Sequence, residues 1–393
     1  MRRRTSLLGL DRNVVVLSFT SLLNDVSSEI IYPLLPTFLA TVLGSGPTYI
    51  GLIEGIADSA ASLLKLASGW LSDRWGRRKG LVVAGYATAA AVRPLVALAA
   101  APWQVLLIRL ADRTGKGLRS APRDALLAES TSPTAWGRAF GFHRAMDHLG
   151  AVLGPLLAFV LVSGLGESYR AVFALASIPG VFAVAVLVLG VREQINPGAP
   201  ISVPKPVWQT PSPALRNYFA ALFIFTLGNS TDAFLLLRAR DLGVSVAALP
   251  LLWSLLHLTK SVTSLPGGGL SDRLGRKWII VLGWLIYAGV YLGFGYANTQ
   301  AEVWMLFATY GLFFGLTEGT EKALIADLTP TQRGSAYGYY HLIIGIAALP
   351  ASVLFGALWS WGGPPLAFTA GAALALVATL WLAALVPEHK QPG

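Results

Sequence analysis

The sequence predicts an all-α membrane protein, with twelve transmembrane helices arranged as two pseudo-symmetric six-helix bundles around a central cavity. Three observations predict it. Apolar runs recur along the 393 residues, each about 20 residues long, which is what a helix needs to cross the hydrocarbon layer. The chain is 54% hydrophobic and only 13% charged, about half the charge of an ordinary globular domain. Finally, Gly69-Trp70-Leu71-Ser72-Asp73-Arg74-Trp75-Gly76-Arg77-Arg78 recurs 199 positions later as Gly268-Gly269-Leu270-Ser271-Asp272-Arg273-Leu274-Gly275-Arg276-Lys277. Seven identities at one offset, each copy closing a long apolar run, mark a duplication.

The spans follow in order. The first, near 14–40, carries Asn24, Asp25 and Glu29. No small-residue cleavage site follows a short apolar core, so it reads as a retained helix and not a signal peptide. The second, 49–71, carries Glu54, Asp58 and Lys65 and ends on the first cationic turn. The third, 80–100, has only Arg93, and the fourth, 104–127, is the most charged. The fifth, 137–163, holds His143, Arg144, Asp147 and His148, and the sixth, 171–191, is apolar. Residues 192–214 contain Pro197, Pro200, Pro204, Pro206, Pro211 and Pro213, a density that no helix continues through and that reads as an extended cytoplasmic linker. Six more spans fall near 215–237, 247–270, 278–297, 302–325, 335–360 and 365–387. The predicted organisation is therefore a half at 1–191, a linker at 192–214 and a half at 215–393. Two further blocks match across the halves: Ala125-Leu126-Leu127-Ala128-Glu129 with Ala323-Leu324-Ile325-Ala326-Asp327, and Gly137 to Phe142 with Gly334 to Tyr339. Parallel repeats of this kind place a substrate site between halves, near the midplane.

A formal charge of +10 raises the question of nucleic acid, but the positions of the basic residues answer it. They gather in Arg2-Arg3-Arg4, Arg74 to Lys79, Arg273 to Lys277 and the linker, the pattern of short cytoplasmic loops. An even number of spans then puts both termini in the cytoplasm, and the expected location is a bacterial-type inner membrane. The absence of cysteine excludes disulfides and thiolate metal sites. No phosphate-binding loop of the Gly-x-x-x-x-Gly-Lys-[Ser/Thr] type is present, and no cofactor, metal or enzymatic activity is expected.

Two copies of G-x-L-S-D-R-x-G-R-[RK] after spans 2 and 8 resemble the signature loop of the major facilitator superfamily, and the resemblance covers the whole chain. It implies that Asp73, Arg74 and Arg77, with Asp272, Arg273 and Arg276, are gating residues at the cytoplasmic face. Gly141, Gly150, Gly154 and Pro155 resemble the span-5 motif of the superfamily's antiporter branch, which departs here where Leu157 and Ala158 replace its closing glycine pair. Arg109 resembles the family's span-4 arginine, but Arg113 stands where a glycine follows it.

A charge at the centre of a membrane helix costs about 2.5–3.5 kcal/mol on insertion scales, so the charges here must be paired or wet. They lie in spans 1, 2, 4, 5, 7, 8 and 10, whereas spans 6, 9 and 12 carry essentially none. In the superfamily every third helix is peripheral, and the charge pattern agrees. Glu54, Asp58 and Lys65 fall within an arc of roughly 40° at helical spacing. The equivalent stretch of span 8 presents Trp253, His257 and Ser264, with Lys260 beside them. Asp25, Glu29, Tyr32 and Pro36 share a face of span 1. Arg109, Arg113, Lys116, Ser120 and Arg123 form a basic stripe on span 4, with Asp112 and Arg119 at its edges, and span 10 offers Glu318, Glu321 and Lys322. Crowded carboxylates in low dielectric bind protons more readily, which nominates Asp25, Glu29, Glu54 and Asp58, then Asp147, for proton coupling. Lys65, Arg109, Arg113, Lys116, His143, Arg144, His257, Lys260, Glu318, Glu321 and Lys322 are the substrate-cavity candidates. A cation site built on His143, Asp147 and His148 has no His-x-x-x-His or cysteine pattern behind it.

The expected function is secondary transport of a small polar, charged or zwitterionic organic solute by alternating access, with proton-coupled efflux first and proton-coupled or facilitated uptake second. A metal-ion transporter, a lipid flippase and a non-transporting membrane sensor are the remaining alternatives. The expected partners are the solute, protons and the lipid bilayer, with no nucleic acid, and the protein is expected to be a monomer.

Overall fold

The structure is a computed structural model that describes residues 10–75, 78–131, 136–166, 168–193, 212–329 and 333–387. Every regular element among them is helical. Eight stretches are long and apolar enough to cross a membrane. One of them, 336–385, is two helices joined at a kink. Three more helices, Pro47–Trp75, Pro102–Glu129 and Gln300–Leu328, have 29, 28 and 29 residues. At 1.5 Å per residue each exceeds the ~30 Å hydrocarbon thickness. They stand outside the apolar set because they carry the intramembrane charge. The crossing segments therefore number twelve among the described residues.

The chain divides into two compact units, Met1–Leu35 with Ala60–Lys205, and Pro36–Ser59 with Pro206–Gly393. The linker residues 194–211 lie outside the described residues.

In the first unit, α1 (Arg12–Ile31) starts at Asp11, whose carboxylate accepts the Asn13 backbone N–H at 2.8 Å. Pro33 cannot donate to the preceding turn, and the helix tightens to a 3₁₀ turn at Tyr32–Leu34; α2 (Leu35–Thr41) follows and from Pro36 onward belongs to the second unit. The second half of α3 (Pro47–Trp75) follows, then α4 (Lys79–Val92) with a 3₁₀ extension at Arg93–Leu98. Next come α5 (Pro102–Glu129), α6 (Trp136–Gly164), α7 (Tyr169–Leu175) and α8 (Ser177–Gly190). A buried core of Leu10, Val14, Leu17, Tyr86, Leu126 and Leu187 closes one end of this unit. There Asn13 donates to Ser130 Oγ at 3.1 Å and the Arg192 carbonyl at 2.9 Å, and its Oδ1 accepts the Arg192 N–H. Glu193 accepts the backbone N–H groups of Arg78 and Lys79 at the start of α4, a carboxylate placed where the helix dipole favours it. The end of α8 is thus tied directly to α1 and α4 before the linker begins.

In the second unit the predicted span 215–237 is two helices. α9 (Pro213–Gly228) and α10 (Ala233–Asp241) are separated by Asn229-Ser230-Thr231-Asp232. Irregular backbone inside a membrane protein is tolerated where its polar groups are satisfied by protein. Here three fully buried tyrosines bond one carbonyl and three side chains of the break, and Ser352 Oγ accepts the Thr231 N–H at 3.3 Å. Tyr287 donates to the Gly228 carbonyl at 3.0 Å and Asn229 Oδ1 at 3.3 Å, Tyr291 bonds Ser230 Oγ at 3.2 Å, and Tyr310 donates to Asp232 Oδ1 at 2.7 Å. α11 (Leu249–Leu274), α12 (Arg276–Tyr296), α13 (Gln300–Leu328) and α14 (Arg333–Leu385, kinked at Gly363) complete the unit. The segment Pro36–Ser59 belongs here because its small residues sit on α14. Thr48 Oγ1 donates to the Gly356 carbonyl at 3.0 Å, and a Cβ on Gly51 would lie 2.2 Å from the Ser352 carbonyl.

The structure also explains the glycine of the second cationic turn. α11 and α12 meet at Gly275 alone, with φ 95° and ψ 137°, a region open essentially only to glycine. Gly275→Ala is expected to lower stability by about 1–3 kcal/mol, measured as a drop in the thermal midpoint of the detergent-purified protein. An unchanged midpoint would show that the turn has another accessible geometry.

Candidate functional site

Each unit carries its own polar interior. In the first unit the basic stripe of α5 is sorted by its partners. Arg93 donates through Nε to Asp112 at 2.9 Å and through Nη1 to the carbonyl and side chain of Asn24 at 2.9 and 3.1 Å. Arg109 leans on the same carboxylate at 3.8 Å and on the face of Tyr32 at 5.5 Å. Arg123 pairs with Asp124 at 2.9 Å and reaches Ser21. Arg119 is buried over the ring of Tyr86, 4.4 Å from its centroid. Arg113 is half-buried and Lys116 is exposed. Lys65, on α3, is half-buried as well.

Asp25 and Glu29 lie on the side of α1 that meets α6. Asn24 donates to Asp25 at 3.0 Å and Ser28 to Glu29 at 3.3 Å. The glycines of the antiporter-like motif lie against them. A Cβ on Gly150 would come 2.7 Å from the Leu22 carbonyl and 3.0 Å from Asp25 Cβ, and one on Gly154 2.6 Å from Glu29 Cβ. Gly141 and Pro155 sit on the same helix, with Pro155 inside it. Close approach of two membrane helices requires small residues at the crossing, so Gly150 and Gly154 are what bring α6 onto the acidic face of α1. On α6, Asp147 lies 3.7 Å from the buried His143 and 3.8 Å from the exposed Arg144. No three His, Asp or Glu residues converge on a metal-sized site among the described residues.

In the second unit, Glu54 is buried and Asp58 half-buried on the first half of α3. His257 packs edge-on to Trp253, with centroids 5.2 Å apart. The feature of this unit is a cavity of about 260 Å³ among α9, α11, α13 and α14. Lys260 and Glu318 face it as an ion pair at 2.8 Å, and the Lys260 ammonium sits 4.6 Å from the centre of the Phe314 ring. Glu321 is buried at its side, accepting the Trp284 indole N–H at 3.1 Å on one oxygen and the Tyr340 hydroxyl at 2.9 Å on the other. Phe225 and Phe313 complete an aromatic wall, and Phe225 stacks on Trp284 at 4.4 Å. Lys322 lies outside the cavity lining, and its carbonyl accepts the Tyr337 hydroxyl. Glu318 and Glu321 are three residues apart, so one helical face presents both.

At the cationic turns, Arg276 pairs with Asp327 at the end of α13, and Arg78 pairs with Glu129 at the end of α5 at 3.0 Å. The two acids are the matched ends of the repeated Ala-Leu-x-Ala-[Glu/Asp] block. Arg273 is exposed. Arg77 lies outside the described residues, as do the side chains of Asp73, Arg74 and Asp272.

Sequence reasoning left several groups unassigned: Trp284 and Tyr340 as partners of Glu321, Asn24 as the third member of the Arg93–Asp112 cluster, and Asp232 in the broken helix. The run Asn229-Ser230-Thr231-Asp232 within an apolar span was the available signal for that break. Trp284 and Tyr340 carried none, since aromatic residues are as frequent on lipid-facing surfaces.

Comparison with known proteins places this geometry. The profile of the Major Facilitator Superfamily matches residues 17–256 and 218–393. An uncharacterized MFS-type transporter of Methanocaldococcus jannaschii is 35% identical over 384 residues, covering 95% of this chain and 94% of its own. The fosmidomycin resistance protein of Escherichia coli is 28% identical over 353 residues, 86% of this chain and 84% of its own. Among solved structures, the nucleoside transporter NupG superposes with a TM-score of 0.81 over 95% of this chain and 100% of that one, at 12% identity, a likeness of fold alone. The duplicated cationic turn, the twelve crossing segments and these matches have one reading: the chain belongs to the major facilitator superfamily.

Proposed function

We propose that the protein is a proton-coupled secondary transporter that exports a small polar, charged or zwitterionic organic solute across the cytoplasmic membrane, with both termini inside. The observation that carries this is the cavity of about 260 Å³ in the second unit, built from membrane helices and lined by Lys260, Glu318 and Glu321. Charges are costly there unless they serve a pathway. In the first unit, Lys116 is exposed and Arg113 half-exposed on α5. A relative named for fosmidomycin resistance favours export over uptake. Asp25, Glu29, Glu54, Asp58 and Asp147 are the proposed proton carriers, with Asp25 and Glu29 set against the glycines of α6. The cationic turns, through Asp73, Arg74, Arg77, Asp272, Arg273 and Arg276, are the proposed gate. A solute shifts the balance between two access states only through its differential affinity for them, and protonation of these carboxyls is the second such bias.

The test is reconstitution in liposomes with an imposed pH gradient, followed by a solute screen. Gradient-driven flux is expected for the wild type and is expected to fall in Asp25→Asn, Glu29→Gln, Glu54→Gln or Asp58→Asn. Undiminished gradient-driven flux in all four removes these carboxyls from the coupling mechanism. The direction of flux separates export from uptake.

A further inference from the structure

A guanidinium lies buried in the first unit without an acceptor. Arg119 of α5 is 4% exposed. Its Nε and Nη1 atoms meet neither solvent nor a hydrogen-bond partner among the described residues. The group rests on the face of Tyr86, 4.4 Å from the ring centroid. A ring face attracts the charge, but it stands above the guanidinium plane, and the N–H groups point within that plane. They stay unsatisfied. Arginine does not shed its proton in a protein, so neutralisation gives no relief. A buried donor on a charged group is costly to leave unpaired.

The carboxylates nearby are engaged elsewhere. Asp112 serves Arg93 at 2.9 Å and Arg109 at 3.8 Å. Asp25 of α1 accepts the Asn24 amide at 3.0 Å and faces both Lys116 and Arg119. From α4, Arg93 and Tyr86 complete the surroundings of Arg119. Lys116 lies three residues before Arg119, on a neighbouring position of the same helix face, and is exposed. Its cationic neighbours are Lys65 of α3, Arg113 and Arg119, with Asp25 as the carboxylate. Lys65, Arg113, Lys116 and Arg119 thus gather about one acidic group. The helix face beside Arg119 is open, since Lys116 is exposed and Arg113, Ser120 and Arg123 are half-buried.

We propose that α5 carries an oxyanion site: a carboxylate, phosphate or phosphonate group enters past Lys116, and its oxygens accept the N–H groups of Arg119. The bare N–H groups belong to two nitrogens, so a ligand with two or three oxygens satisfies more of them than a single-point halide does. The surrounding cations favour a negative group over a neutral one of the same shape. The proposal names the charged end of the exported solute and rests on the transport reading for that role. A resident inorganic oxyanion has the same chemistry, and flux distinguishes the two.

The test uses the full-length protein purified in detergent, in Tris chloride without oxyanions, and isothermal titration with methylphosphonate, acetate and acetamide, the neutral isostere of acetate. Both oxyanions are expected to bind more tightly than acetamide, by roughly tenfold, the worth of one hydrogen bond to a charged group. Arg119→Gln is expected to erase that advantage and Arg119→Lys to keep part of it. Arg216→Gln, which removes an exposed cation at the start of α9, is expected to leave it unchanged. Wild-type protein that binds neither oxyanion more tightly than acetamide overturns the proposal and needs no variant. So does an unaltered oxyanion preference in Arg119→Gln. In liposomes, oxyanion flux that Arg119→Gln abolishes assigns the site to the transported solute. Oxyanion binding without oxyanion flux keeps the site, makes its occupant a resident anion and removes the transport role. Flux of other solutes by a protein with no oxyanion preference removes the site and keeps the transport reading.

Discussion

Asp112→Asn is expected to destabilise the first unit by about 3–5 kcal/mol, the penalty for removing one partner of a buried ion pair. The substitution is nearly isosteric, so it isolates charge from shape. Asp112, Arg93 and Arg109 have side chains only 5%, 6% and 8% exposed. The single carboxylate serves both guanidinium groups, and Arg93 carries the connection on to Asn24 of α1. Three helices, α1, α4 and α5, are joined through this one group. With asparagine in its place one acceptor oxygen survives, but two buried cations lose their counter-charge, and a membrane interior offers no water to replace it. Thermal unfolding in detergent checks this. A midpoint equal to that of the wild type would show that water reaches the cluster. A second measurement separates pairing from packing. Replacing both partners of the shorter pair, Arg93→Met with Asp112→Leu, is expected to cost less than the sum of the two single changes, because Arg93 is no longer left unpaired, although Arg109 still loses this carboxylate. Additive losses would mean that the cluster contributes through shape alone.

This cluster shows where sequence reading stops. Arg93 was legible as the lone charge of a nearly apolar span, and Asp112 as the edge of a basic stripe. That they face each other depends on how α4 rotates against α5, which composition does not encode. The crossing is set by a mutual close approach at Gly85 and Gly115, where a Cβ on either would fall 2.5 and 2.6 Å from the other's carbonyl. The twelve segments, the repeat and the separation of charged from apolar helices could all be read beforehand, because each is a property of a single helix or of a repeated stretch. The helices too charged to count as plain membrane spans, α3, α5 and α13, carry much of the polar interior, and α1, α6 and α11 add Asp25, Glu29, Asp147 and Lys260. Glu318 and Glu321 could be nominated from spacing. Their different situations, one ion-paired and the other capped by Trp284 and Tyr340, follow from partners 37 and 19 residues away from Glu321.

Gly154→Ala is expected to cost about 1–3 kcal/mol, the usual penalty for overpacking a filled interface, and to reduce transport more than its stability loss alone predicts. The added Cβ would lie 2.6 Å from Glu29 Cβ and 2.9 Å from the Val26 carbonyl. One contact is a backbone atom and the other the first carbon of a side chain, so neither swings aside as a long side chain would. α6 must therefore back away from α1, and Glu29, a proposed proton carrier, moves with the crossing. Two controls sharpen the reading. Gly289→Ala, on α12 with nothing within 4 Å of the added atom, is expected to be neutral or to raise stability by roughly 0.5–1 kcal/mol, since a helical glycine is replaced by a better helix former. Glu29→Ala combined with Gly154→Ala is expected to remain as unstable as the glycine variant, because the clash involves Glu29 Cβ, which alanine retains. Recovery in that double variant would place the conflict at the carboxylate and not at the backbone crossing. The antiporter-like glycines would then act through the charge of Glu29, and the tight α1–α6 contact would be incidental to it.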